Sequence, residues 1–243
     1  MRMATAIGAT LALLWATPAA AIEFAGDIYA TTNYVSLGLS ESQGTPSIAA
    51  ELDALGLWYY IGDQIETVNF GTDPARYENI LFGGLKHEVL GVTWELGFSY
   101  FHYVNALPAL KDDYTYIRLQ GVKPVGNAVF GFNMYHSFDF FGGTGPATYL
   151  EGNAQYAFAD NSSVSGAFGY EFTSKTRLAA VYGLGNSGYA TWNVGYTYPI
   201  RSDITIDLRY IGTTDSATDY YIVQNKHLAG HRIVFSLKFF PPL

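Results

Sequence analysis

Leu90-Gly-Val-Thr-Trp-Glu-Leu-Gly-Phe-Ser-Tyr100 is the stretch whose reading decides the fold. Its even positions, Leu90, Val92, Trp94, Leu96, Phe98 and Tyr100, are large and apolar; its odd positions, Gly91, Thr93, Glu95, Gly97 and Ser99, are small or polar. A side-chain period of two sends the two sets to opposite faces of one β-strand. A strand of about ten residues is long enough to cross a bilayer when tilted. It has an oily face for lipid and a wet face for an aqueous interior, the division found in transmembrane barrels. The expected placement is Trp94 and Leu96 outward, Glu95 inward.

The same rhythm runs through twelve candidate strands, at 24–36, 46–53, 57–66, 76–86, 90–102, 114–121, 128–136, 149–158, 163–172, 190–198, 204–212 and 231–239. The pattern is weaker over 57–66. It conflicts over 76–86, where Ile80 and Phe82 share a face with Arg76, Glu78 and Lys86. Under this assignment every odd-numbered connection is longer than every even-numbered one. Outer-membrane barrels have that alternation, with short periplasmic turns, long extracellular loops and an even strand number. The fold class is therefore all-β, a transmembrane antiparallel up-and-down barrel of about 12 strands. Trp58, Trp94, Trp192, Tyr34, Tyr59, Tyr100, Tyr198 and Tyr210 are candidates for its interfacial girdles.

Residues 1–21 read as a secretory signal peptide, with Arg2 in the n-region, an apolar run from Ala6 to Trp15, and Pro18-Ala-Ala-Ala21 before the cut. Residues 22–243 then form the barrel. The apolar run is shorter than the roughly 20 residues of a spanning helix, and no other segment approaches that length. Charged residues make up only 14% of the chain, against 20 Tyr and 16 Phe, so the surface is unlike that of a soluble β-protein. There is no cysteine, which excludes disulfides, zinc–cysteine sites and thiol nucleophiles. A net charge of −8 gives no basic footprint for a nucleic-acid partner.

The segment Asn33-Tyr-Val-Ser-Leu-Gly-Leu-Ser-Glu-Ser-Gln-Gly-Thr-Pro46, read as the end of the first strand and the first long loop, resembles the TorF-type porin family of proteobacterial outer membranes. The likeness is carried by Tyr34-Val35-Ser36, Gly38-Leu39-Ser40, Ser42-Gln43-Gly44 and Pro46, with a similar placement of Val68-Asn69-Phe70. Elsewhere it is one of rhythm and length. The chain departs from the family at Leu37, where an arginine is usual, and at its end, where Pro241-Pro242-Leu243 follow Phe239-Phe240. A terminal aromatic is the usual signal to the barrel-assembly machinery. The resemblance implies a passive pore and supplies no substrate.

Other constellations carry less. His227 and His231 are four apart in a loop-like stretch around Gly230, which favours loop histidines over a metal pair. His102 and His136 fall near the outer ends of strands, where a barrel hydrolase would keep its base. Gly142-Gly143-Thr144-Gly145 lacks the Lys-Ser/Thr of a phosphate loop. Asp27, Glu51, Asp53, Glu95, Glu151, Glu171 and Asp207 alternate onto one face with Arg118, Arg209, Arg232 and Lys238. Charge pairing across a wet interior accounts for them without catalysis, and they are the candidate lumen lining.

The reading is an outer-membrane channel for passive diffusion of ions and small hydrophilic solutes, with a weak cation preference and neither enzyme activity nor a cofactor. Its partners would be lipid, its solutes and, during biogenesis, the assembly machinery; the oligomeric state is open. Selection would come from lumen width, lining charge and an inward-folded loop, 173–189 or 213–230. The alternatives are a barrel hydrolase using His102 or His136, and a plugged structural or adhesive barrel.

Overall fold

The computed structural model describes residues 22–71, 73–173, 188–214, 222–223 and 226–242; the expected signal peptide lies outside the described residues. Twelve strands close into one antiparallel barrel. In chain order the barrel strands are β1 Glu23–Thr31, β2 Ser47–Leu55, β3 Tyr59–Thr67, β4 Tyr77–Val89, β5 Val92–Val104 and β6 Tyr114–Val125. They continue as β7 Ala128–Ser137, β8 Ala147–Ala157, β9 Ser163–Thr173, β10 Gly188–Arg201, β11 Ile204–Thr213 and β12 Arg232–Phe239. Each strand pairs with its sequence neighbours, and β12 returns to β1 with Ile28 opposite Phe239, so no edge is left open.

Connections alternate in length. The turns 56–58, 90–91, 126–127, 158–162 and 202–203 are short and gather at one end of the barrel. The connections 32–46, 68–76, 105–113 and 138–146 are long and gather at the other, and the spans 174–187 and 214–231, also long, lie largely outside the described residues. The turn at 90–91 has φ of 56° at Leu90 and 71° at Gly91, the paired positive values that match a tight turn to strand twist. The strand after it thus starts at Val92, and Leu90 is the exposed tip of the turn instead of a strand residue.

Within β5 the alternation is regular. Leu96 is 59% exposed, Trp94, Phe98 and Tyr100 are also exposed, and Ser99 is fully buried. Glu95 shares the inward face with Gly97 and Ser99. In β4 the conflict resolves inward: Ile80 and Phe82 are buried beside Glu78, while Leu81 and Leu85 face out. An apolar pair is tolerated there because the interior of this wall is aromatic. Phe101, Tyr103, Tyr114, Tyr116, Tyr135 and Tyr149 join them in one cluster.

The first strand is shorter than 24–36. It stops at Thr31, and the chain turns inward over the barrel mouth. There Val35–Ser36 pairs with Leu39–Ser40 in a small hairpin. Leu37 and Gly38 both have positive φ. A Cβ on Gly38 would stand 2.5 Å from Thr191 Oγ1 and 2.7 Å from Thr213 Cγ2, so only glycine brings this hairpin so close to β10 and β11.

The outer face is largely apolar, with a few polar side chains such as Asp63, Asn79 and His102. Asp63 faces out between Ile61 and Ile65 and accepts a 2.6 Å hydrogen bond from Asn79 Nδ2. Tyr34, grouped above with girdle aromatics, belongs inside: it packs against the interior cluster and its hydroxyl donates to Glu78. Trp58, Trp94, Tyr100, Tyr198 and Tyr210 are exposed on the outer wall, while Tyr59 and Trp192 are half-buried.

Candidate channel lumen

Strand alternation delivers the inner face one side chain in two. Asp27, Glu51, Asp53, Glu95, Arg118, Glu151, Glu171, Asp207, Arg209, Arg232 and Lys238 all sit on inward-facing positions of their strands. Glu78 and Lys86 join them. Arg76 does not: it precedes β4, is exposed, and its guanidinium donates to the backbone oxygens of Asp73 and Ala75, 2.7 Å each. Lys175, Arg177, Asp215 and Asp219 lie outside the described residues.

The middle of the barrel and its short-turn half form a polar mesh. Arg118 Nη1 donates to Ser99 Oγ at 2.9 Å, and Nη2 donates to Gln120 Oε1 at 2.8 Å. Gln120 Nε2 passes the chain to Asn133 Oδ1 at 3.0 Å, and Asn133 Nδ2 to Glu151 Oε1 at 2.8 Å. Across the barrel, Arg209 grips Asp207 through Nε and Nη2, at 3.1 and 3.0 Å, and also reaches Asn193 and Ser165. Lys238 Nζ lies 3.0 Å from Asp27 Oδ2. Charged groups taken partly out of water in this way are held by opposite charge or charge-assisted hydrogen bonds. Arg118 also lies 5.7 Å from the Phe82 ring centroid, within cation–π range.

The long-loop half differs. It carries Glu41, Glu66, Glu78 and Glu171 among tyrosines. Tyr29 donates to Glu66, Tyr34 to Glu78 at 2.8 Å, and Tyr103 to Glu41 at 3.3 Å. Ring contacts run continuously along this wall, with Phe101 and Tyr114 stacked at 4.4 Å and Tyr135 and Tyr149 at 6.1 Å. The sequence alternation does not mark Glu66 as inward, and it places Glu41 only among the acids of the long loops. Asp63 outward in β3 obscures the alternation that puts Gln64 and Glu66 inward, and Glu41 lies on a loop that has no period to read.

Among the described residues, loop 32–46 folds inward. Tyr189 donates to Leu37 O at 2.9 Å, Ser40 N donates to Leu228 O at 2.7 Å, and Val35 is buried against Ile211 and Val234. Of the two loops favoured from sequence, 174–187 and 215–221 lie outside the described residues.

The histidines sit elsewhere. His102 Nδ1 lies 2.7 Å from Asp113 Oδ2 on the outward wall, and Asp113 also accepts from Tyr100 OH and Tyr103 N. The Asp113 carboxyl is held below the usual carboxylate range: burial pushes it up, but the hydrogen bonds from His102, Tyr103 and Tyr100 outweigh that. His136 contacts Thr148 at 2.8 Å, and His231 stacks on Tyr210 with a 2.7 Å bond to its hydroxyl. The side chain of His227 lies outside the described residues. The hydrolase alternative thus finds a His–Asp pair, but on the outside of the barrel, away from the inner-face network.

A sequence profile described as a bacterial protein of unknown function, Gcw_chp, matches residues 15–239. The chain belongs to the Gcw_chp family. No curated protein sequence matches it. Solved porin structures share the fold of this Gcw_chp chain. The KdgM porin aligns with a TM-score of 0.56 at 10% identity, over 89% of this chain and 98% of that one. The NanC porin aligns with a TM-score of 0.58 at 8% identity, over 92% and 100%. At such identities the likeness is one of architecture: a porin-like closed barrel.

Proposed function

We propose that this protein is an outer-membrane channel through which ions and small hydrophilic solutes diffuse passively. One observation carries the reading: a closed twelve-strand barrel whose outer wall is apolar and whose inner wall is charged and hydrogen-bonded. Lipid suits the first surface and water the second. The candidate lining residues would then set selectivity, and the hairpin at 32–46 would narrow the mouth. The porin-like fold supports this reading, as does the TorF-type pattern of 33–46, whose residues build that hairpin. Biogenesis would require the barrel-assembly machinery.

We further propose a weak cation preference. Inward acids outnumber inward bases, and counting Glu66 and removing Arg76 widens the excess. A low-dielectric wall focuses such an excess and enriches counter-ions in the pore. The pairs Lys238–Asp27 and Arg209–Asp207 cancel part of it. The test is conductance of the purified protein in a planar bilayer under a potassium chloride gradient. A small reversal potential of cation sign, shrinking as salt rises, is expected. Anion preference would overturn the charge argument, and absence of conductance would favour the plugged barrel.

A further inference from the structure

The 32–46 hairpin crosses the mouth of the barrel. At its tip Leu37 O accepts from Tyr189, and Gly38 lies against Thr191 and Thr213, on β10 and β11. At its base Tyr34 reaches Glu78 on β4, and Glu41 reaches Tyr103 on β5. β4 and β10 stand half-way round the twelve-strand cylinder from each other, so the segment lies across the solute path.

Its fastenings on the two sides differ in kind. Toward β10, β11 and β12 they are neutral, with Ser40 N donating to Leu228 O and Val35 packed on Ile211 and Val234. Toward β3, β4 and β5 they are acidic. Glu66 and Glu78 are direct cross-strand partners, both fully buried. Glu78 also stands opposite Tyr103, whose hydroxyl donates to Glu41, and Glu41 N donates to Tyr34 O at 2.9 Å. Three carboxyl groups thus meet, two fixed on the wall and one carried by the hairpin.

Hydroxyl groups serve them: Tyr29 and Ser47 donate to Glu66, Tyr34 to Glu78, and Tyr114 on β6 packs on Tyr103. Among the described residues none of the three forms an ion pair. Nearby bases are engaged elsewhere. Arg232 donates to Leu228 O, and Arg76, in the adjoining loop 68–76, donates to Asp73 O and Ala75 O. In the same loop the Asp73 carboxylate accepts from Ala75 N. Glu78 Oε1 is buried with no hydrogen-bond partner.

Carboxyl groups in such contact do not all ionise together, because burial and each neighbour oppose every further charge. Burial, then Glu78 and Glu66, push Glu41 well above the usual carboxylate range. Swung out into water, Glu41 would titrate near about 4.3. The closed hairpin therefore binds more protons than the open one. Closure is fully favoured below about pH 4.3 and weakens as pH rises beyond it, by up to about tenfold per pH unit for one proton.

We propose that the 32–46 hairpin is a pH-operated gate: Glu41, resting on Glu66 and Glu78, latches it across the lumen in acid, and ionisation of the three releases it. This rests on the channel reading, since a gate needs a solute path.

The experiment pairs bilayer conductance of the full barrel, at fixed potassium chloride from pH 5 to pH 9, with proteinase K cleavage within 33–46. Wild-type conductance should rise several-fold across that range, and cleavage should rise with it. Glu41→Gln has no proton to lose and keeps an acceptor for Tyr103. Its conductance and cleavage should stay near the wild-type pH 5 level throughout. Glu88→Gln, exposed at the short-turn end of β4, should respond as the wild type does. Comparing variants at one pH removes the protease's own pH dependence, and the wild-type response is a test without either variant. Current that ignores pH or falls as it rises, or a Glu41→Gln barrel that opens like the wild type, would overturn the gate and leave the channel. Absence of current at every pH, with cleavage still governed by Glu41, removes the channel and keeps the hairpin switch. Absence of current with cleavage indifferent to Glu41 removes both.

Discussion

Leu96 offers the sharpest test of which face meets lipid. It lies in β5 between Trp94 and Tyr100, both exposed aromatics of the kind that mark the two interfaces of a bilayer. Its cross-strand partners are Leu85 on β4 and Leu119 on β6, so its surroundings are apolar on both sides. If Trp94 and Tyr100 flank the hydrocarbon belt, Leu96 sits near its middle. An arginine at the midplane of a barrel costs about 2–4 kcal/mol. Leu96→Arg should therefore lower the folding equilibrium constant roughly 30- to 900-fold. The assay is urea-dependent folding into phosphatidylcholine vesicles, followed by tryptophan fluorescence, with Glu95→Gln next door as an inward control. The control should change stability far less. A cost for Leu96→Arg below about 0.5 kcal/mol, or no larger than that of the control, would refute a lipid-facing Leu96 and the membrane assignment built on it.

Three further outcomes follow from particular contacts. Gly38→Ala forces a side chain into φ +85° and against Thr191 and Thr213, so it should destabilise the mouth hairpin by about 1–2 kcal/mol or more and raise proteolytic cleavage within 33–46. Gly44→Ala, with no atom within 4 Å of its Cβ, should have the milder effect; equal cleavage in the two variants would contradict the close approach. In loops 105–113 and 68–76, burial and then the neighbouring Asp73 carboxylate push Asp112 up to about 7. An unfolded aspartate releases its proton near 3.9, so this contact weakens as pH rises from about 4 to about 7 and is level above. Asp112→Asn should abolish that slope and raise stability at pH 8, as read from thermal unfolding at pH 5 and pH 8. Unchanged slopes would show the pair to be inert. Asp207→Asn removes the charged acceptor of Arg209 and should cost about 1–3 kcal/mol in the same vesicle assay, whereas no loss would mean that water replaces the pair.

The sequence by itself determined the barrel because two local signals survive any packing. Alternation in segments such as 163–172 and 204–212 assigns faces by geometry alone, and the rhythm of short and long connections fixes an up-and-down order. It also determined that the charged residues named above share one side, since a period of two leaves them no other place. Tertiary structure decided what a period cannot encode. Ile80 and Phe82 break the polar face of β4, and only the rings of Phe101, Tyr103 and Tyr114 on the neighbouring strands β5 and β6 explain why they point in. The run 32–36 continues the alternation of β1 in sequence, yet it leaves the sheet because Leu37 and Gly38 fit against Tyr189, Thr191 and Thr213 on β10 and β11. Which acids keep a base and which are left without one was likewise invisible along the chain. Asp27 and Lys238 stand at opposite ends of the sequence, and they meet because closing the cylinder lays β12 against β1.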